Sequence, residues 1–198
     1  MTAPAPIVQA GDPVLRSRAG EVPLDIIPTA EFQELVATMV ATMRAAPGVG
    51  LAAPQLGIPW RVIVLEDREE LLAALSAEER RDREREPFAK RVLVNPVLRH
   101  VGAERVTFFE GCLSVAGYAG LVERNREVEV VGTGIHGEPV SFTARGWPAR
   151  ILQHEVDHLD GTLYVDRMLT RSFATVEQAR AFYSGRSIAE VRRMLGVI

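Results

Sequence analysis

The segment His154-Glu-Val-Asp-His158 constrains this chain more than any other. Two of its four histidines stand four residues apart here. On an α-helix that spacing puts both imidazoles on one face, one turn apart. Ile151, Leu152 and Leu159 make the same stretch apolar, which turns the histidines inward. An inward histidine pair with a glutamate between them is costly to bury without partners. A divalent metal gripped by both ring nitrogens removes that cost, and Glu155 can then reach a water on the metal without being a ligand. The plainer reading is two core histidines satisfied by hydrogen bonds.

The flanking residues delimit this helix. Gly146-Trp147-Pro148 opens it, with Pro148 suited to the first turn, and Gly161 is placed to end it. A second helix is expected over residues 30–46, where Phe32, Leu35, Val36, Met39, Val40 and Met43 form one apolar stripe. Pro47-Gly48 stops it. Strands are expected at 62–65, 92–94, 106–109, 127–131 and 140–143, the last two closing an antiparallel pair. Residues 7–28 are punctuated by proline and glycine and read as extended chain and turns over a core. Residues 66–86 read as a helical or flexible excursion. Its run Glu78–Glu86 is charged at every position, with mixed signs that suit a solvated face. Residues 175–196 read as a terminal helix broken near Ser184-Gly185. Together these predict an α+β fold in a single domain over 1–198. Mixed or antiparallel strands surround the metal-binding helix, the 30–46 helix packs outside, and 175–198 is a terminal extension.

Composition narrows the function. At 198 residues, with 47% hydrophobic and 25% charged side chains, the chain can build an ordinary soluble core. Its formal net charge of −3 provides no overall basic field for DNA or other nucleic acid. Its apolar stretches are too short to span a membrane, and Met1–Pro6 lacks the pattern of a signal peptide. The only cysteine is Cys112, which rules out an intramolecular disulfide and fits a reducing, cytoplasmic setting.

A catalytic metal on two histidines usually needs a third protein ligand. One zinc-peptidase class places a third histidine where this chain has Tyr164. A downstream glutamate is another route, and Glu177 lies 19 residues past His158. Cys112 is the third option: a thiolate with two imidazoles leaves one position open for water. Its plainer reading is a small buried hydrophobe.

Three segments bear on that choice: Gly50-Leu-Ala-Ala-Pro-Gln55, Glu110-Gly-Cys-Leu-Ser114 and Gln153-His-Glu-Val-Asp-His-Leu-Asp-Gly161. In this order they resemble the signature motifs of the peptide deformylases, and Gly11-Asp-Pro-Val-Leu-Arg16 extends the likeness over about residues 7–170. The resemblance implies a hydrolase that removes formyl from the N-terminal methionine of new polypeptides. It implies Cys112, His154 and His158 as ligands of one divalent metal, and Glu155 as general base and then acid. Gln55 and the Leu113 N–H would form the oxyanion hole. Fe(II) is the implied native ion, with Ni, Co or Zn as substitutes in a purified sample. Family alignment also suggests substrate contacts from Val49, Gly50, Phe108, Glu110, Trp147, Arg150 and Ile151, with the peptide backbone paired along Gly48–Gly50 and Gly117–Tyr118. A phosphate loop at Gly48 and Gly50 is disfavoured, because no Gly-Lys-Ser/Thr follows.

Departures from the family pattern avoid the implied ligands. Residues 114–124 are closer to an organellar-like subgroup, yet Leu113 follows the cysteine as in bacterial members. Glu123-Arg124 stands where many members carry Pro-Arg, and the retained Arg124 is expected to pair with Glu110. The 66–90 insertion is longer than in compact members. The expected partners are N-formylmethionyl nascent peptides, with a transient ribosome contact through Arg180, Arg192 and Arg193. The rivals are a zinc peptidase using Glu177 and a non-enzymatic module whose metal only holds the fold.

Overall fold

The computed structural model describes residues 2–46, 48–73 and 75–197. Pro47, expected at the first helix stop, lies outside them. Helix α1 (Ala30–Ala45) begins at Thr29, whose hydroxyl accepts the Phe32 N–H at 3.3 Å. Strands β1 (Gly50–Ala52) and β2 (Val62–Asp67) follow, then two short helices, α2 (Glu69–Leu72) and α3 (Ala77–Asp82). Next come β3 (Phe88–His100), β4 (Arg105–Cys112), β5 (Val115–Asn125), β6 (Glu127–Thr133) and β7 (Pro139–Arg145). Helix α4 (Trp147–Leu159) carries the histidine pair, and β8 (Ala174–Thr175), α5 (Val176–Tyr183) and α6 (Ile188–Leu195) end the chain.

One sheet has the order β1-β2-β3-β6-β7 and the other β4-β5-β8, with every neighbouring pair antiparallel. The fold class is α+β, with helices set against antiparallel sheets. Strand β2 shows how its core is divided. Side chains alternate across a sheet, so Val62 and Val64 join Phe32, Met39 and Met43 under α1. Ile63 and Leu65 face the other way and join Ile151, Leu152 and Leu159 of α4. An unbroken apolar run in β2 is therefore the consequence of a sheet covered on both faces. Helix α4 consequently lies between the large sheet and the strands that carry Glu110 and Cys112.

Strands β3 and β5 differ from expectation. Strand β3 extends from Phe88 to His100 instead of covering 92–94, because the chain passes Asn95-Pro96 through a register shift. Asn95 takes a left-handed φ of 51° there, and its amide bridges the Val22 N–H and C=O at 2.9 Å each. Strand β5 carries so many small residues, Ala116, Gly117, Ala119 and Gly120, that its periodicity is faint. Close packing needs Gly120, where a Cβ would lie 2.7 Å from Met168 Sδ. The terminal helix is broken where expected, into two helices parted by Gly185 at φ 70° and restarted by the Ser187 cap.

Gly161 follows α4 at φ 73°, where a Cβ would lie 2.7 Å from the Arg16 carbonyl oxygen. Both the conformation and the contact exclude a side chain. Gly161→Ala is expected to lower unfolding free energy by about 2 kcal/mol, read from urea denaturation. Among the described residues no helix is long and apolar enough to cross a membrane.

Candidate metal centre

Helix α4 presents His154 and His158 on one face with ring centroids 5.1 Å apart. Strand β4 ends against that face, and Cys112 Sγ lies 3.2 Å from His158 Nε2. The ligand atoms of Cys112, His154 and His158 all lie within 4.8 Å of one another. Glu177, the alternative third ligand, stands exposed on α5. Tyr164 stacks beside the His154 ring, with centroids 6.3 Å apart.

Glu110 sets the histidine geometry. Its carboxylate faces α4 from β4 and accepts from His154 Nδ1 at 3.0 Å, leaving Nε2 to point toward the thiol. The same carboxylate takes a two-pronged contact from Arg124, 3.0 Å at Nε and 2.9 Å at Nη2, and a further bond from Arg150 at 2.5 Å. Arg124 also bonds Asp157 of α4, which is held in turn by Arg167 at 2.7 Å through both Nε and Nη2. The expected Arg124–Glu110 pairing is present, and it belongs to a larger buried ionic network. Burial alone pushes the Glu110 carboxyl up. The His154 hydrogen bond and the Arg124 charge reverse this and hold it well below the usual carboxylate range.

The donor set fits a divalent cation. A thiol and two imidazoles converge, and the sulfur accepts the Ser114 N–H at 3.4 Å. Among the described residues, buried Glu155 Oε2 and His158 Nδ1 have no hydrogen-bond partner. Burial pushes Glu155 up to about 7. A buried carboxylate with one oxygen unpartnered, next to three convergent soft and borderline donors, is the arrangement of a metal site rather than of a packed core.

Gln55 closes another side. It sits in a 3-10 turn (Ala53–Leu56), where its Oε1 accepts the Ala52 N–H at 2.9 Å. That bond aims its NH₂ group at Ser114 Oγ (3.2 Å) and Cys112 Sγ (3.5 Å). A cavity of about 240 Å³ opens over these groups, lined by Gly48–Gly50, Gln55, Phe109–Leu113, Trp147, Arg150, Ile151, His154 and Glu155.

The structure thus gathers Val49, Gly50, Glu110, Trp147, Arg150 and Ile151 around one cavity, together with Gln55 and Leu113. Phe108 is outside that lining; it packs edge-on against Trp147 with centroids 6.3 Å apart. Phe109 lines the cavity instead. The cavity runs along the free edge of β4, so five consecutive residues border it and side-chain alternation does not decide which. The Gly117–Tyr118 pairing edge is also occupied: Tyr118 and Ala119 pair with β8. The two free edges beside the cavity are β1 and β4. Arg167 and Phe109 escaped the sequence reading, because nothing in their spacing points at the histidines.

A Cys-His-His donor set with an adjacent buried carboxylate is suited to hold one metal ion with a proton-accepting group beside it. Comparison with known proteins gives the family of the chain. The Polypeptide deformylase family profile matches residues 4–173. Tomato (Solanum lycopersicum) Peptide deformylase 1A, chloroplastic, is 52% identical over 171 residues, covering 86% of this chain and 62% of the relative. Peptide deformylase 1 of Streptomyces coelicolor is 51% identical over 172 residues, covering 87% of this chain and 77% of the relative. A class I type b peptide deformylase from Acinetobacter baumannii, solved with Met-Ala-Ser bound, superposes with a TM-score of 0.76 at 35% identity. That match covers 85% of this chain and 100% of that one. The chain belongs to the polypeptide deformylase family. It spans about three fifths of the length of the tomato relative.

Proposed function

We propose that this protein hydrolyses the formyl amide of N-formylmethionyl peptides and releases formate. The observation that carries this reading is the Cys112–His154–His158 triad meeting the unpartnered Glu155 carboxylate at the floor of the cavity. A family relative that binds Met-Ala-Ser, a peptide beginning with methionine, supports it.

Cys112, His154 and His158 would hold one divalent ion, which supplies Lewis acidity toward water and toward the formyl carbonyl. We assign Fe(II) as the native ion, and Ni, Co or Zn as ions that the same N/S donor set accepts. Glu155 takes the proton of the attacking water and then hands it to the departing amine. Gln55 and the Leu113 N–H donate to the carbonyl oxygen as it gains charge, an arrangement worth about 3 kcal/mol per donor. The tie from Gln55 Oε1 to the Ala52 N–H pre-sets the donor direction, so little reorganisation is needed. The extended peptide lies between the free edges of β1 and β4, pairing its backbone as an added strand. Val49, Trp147, Arg150 and Ile151 receive the methionine side chain.

Protein loaded with Fe(II) under anaerobic conditions should release formate from formyl-Met-Ala-Ser. Full metal occupancy without formate release would overturn the proposal.

Gly50 is part of this machinery through what it lacks. A Cβ there would fall 2.3 Å from Glu155 Oε1. Gly50→Ala is expected to push the carboxylate aside and lower kcat about 100-fold, while metal analysis shows full occupancy.

The ribosome contact rests on arginines of the terminal helices. Arg180 and Arg193 are exposed, and Arg192 is half-buried. Deleting residues 175–198 is expected to reduce co-sedimentation with ribosomes; unchanged co-sedimentation would remove this part of the proposal.

A further inference from the structure

The charged run Glu78–Glu86 is not solvated throughout. Its end, Arg83-Glu84-Arg85, is docked on the first turn of α4. Glu84 accepts from Arg126 Nε at 3.1 Å and from Arg145 Nε at 3.4 Å. Glu84 Cβ also occupies the space a side chain at position 146 would need, since a Cβ on Gly146 would lie 2.4 Å from it. Gly146 immediately precedes Trp147 and has φ 66°, so room and backbone conformation both require glycine there.

With Glu84 seated, its two neighbours reach Trp147. The Arg85 guanidinium lies 5.0 Å from the Trp147 ring centroid and is held by Asp67 at 2.7 and 3.0 Å. The Arg83 guanidinium lies 5.4 Å from Trp147 and 5.9 Å from Phe108. Arg150 approaches the same two rings, at 6.0 and 5.2 Å, with its charge taken by Glu110. Arg83 differs from the other two. Among the described residues its ion-pair partner is Glu79, at 3.7 Å. The two aromatic rings are therefore a principal counterpart of its charge. Trp147 in turn forms a wall of the cavity.

We propose that Arg83 is a positioning residue for the methionine pocket: by holding the Trp147 indole without itself lining the cavity, it sets the pocket's width and its selectivity for an unbranched, thioether-length side chain. The inference rests on the proposed function, and it gives the segment between β2 and β3 a role in substrate choice. Arg83 is not among the residues that line the cavity, so without its charge the indole loses a contact outside the lining and is less firmly placed; the pocket then loosens on methionine and admits wider side chains.

The test uses the full chain with Trp60→Phe, which leaves Trp147 as its only indole and makes tryptophan emission a direct report of that ring. Arg83→Met removes the charge but keeps an unbranched chain. Arg83→Lys keeps the charge. Arg85, Asp67 and Glu84 stay in place, so the docked segment persists in each variant. Arg83→Met should shift Trp147 emission and weaken Met-Ala-Ser binding about fivefold. It should also raise KM for formyl-Met-Ala-Ser by a similar factor with kcat within about twofold, and lower the preference over formyl-Phe-Ala-Ser. Arg83→Lys should restore most of each. Unchanged emission, binding and preference in Arg83→Met, in a chain that releases formate, would overturn this inference alone. So would an Arg83→Lys variant indistinguishable from Arg83→Met. If the unaltered chain neither binds Met-Ala-Ser nor releases formate, the proposed function falls and this inference falls with it.

Discussion

Glu155→Gln is expected to retain its metal and lose deformylation by about 1,000-fold, the scale of a positioned acid–base group. The substitution keeps shape and hydrogen-bonding reach but removes the capacity to hold a proton between water and amine. None of the three convergent donors is touched, since Glu155 is not among Cys112, His154 and His158. The amide also removes a carboxylate that burial disfavours in its charged form, so folding stability should be equal or slightly higher. Metal analysis, thermal melting and formate release on one preparation decide the matter. Near wild-type turnover would refute the assignment of Glu155 as the proton carrier.

Cys112→Ala should act at the opposite end of the same centre. Removing the sulfur deletes one of three ligands and the only one that becomes anionic on binding. Metal affinity should fall by several orders of magnitude, and formate release should drop to background. The effect on folding is smaller, because the side chain is small and half-buried. His154 remains anchored to Glu110, so the helix face keeps its shape. Equilibrium dialysis against a chelator series measures the loss. If Cys112→Ala holds metal as the parent does, the ligand set is wrong. The same substitution separates the rivals, since a site built on Glu177 would be indifferent to it.

The contrast between these variants follows from how the site is assembled, and it shows why part of it was readable in advance. His154, Glu155 and His158 share one helix, so their relation is local and spacing alone exposes it. The Phe32–Met43 stripe is readable because it repeats with the helical period, and the Val62–Leu65 run because a short unbroken apolar segment marks a strand covered on both faces. Cys112 is different: it reaches His158 across 46 residues of sequence. The residues themselves left Cys112 and Glu177 as equal claimants, and the family likeness separated them. Strand β5 escaped because glycine and alanine carry almost no periodic signal. Phe109 escaped because cavity membership depends on which strand edge is left unpaired, a property of the assembled sheet. Arg83 was misread for the opposite reason. A run charged at every position has the composition of a solvated surface, and only the packing of Glu84 on Gly146 shows that Arg83–Arg85 are half-buried.

The ionic network around Glu110 and Asp157 has a further consequence. Arg124 bonds both carboxylates, one on β4 and one on α4, so a single guanidinium fastens the two halves of the centre together. Replacing any member strands a charge of the opposite sign away from water, a penalty that depends on which others remain. Substitutions there should combine non-additively. A lineage exploring this region would find single steps harmful and compensated pairs tolerable. The orientation of His154 is thereby yoked to the integrity of the fold, leaving the cavity walls as the freer ground for divergence.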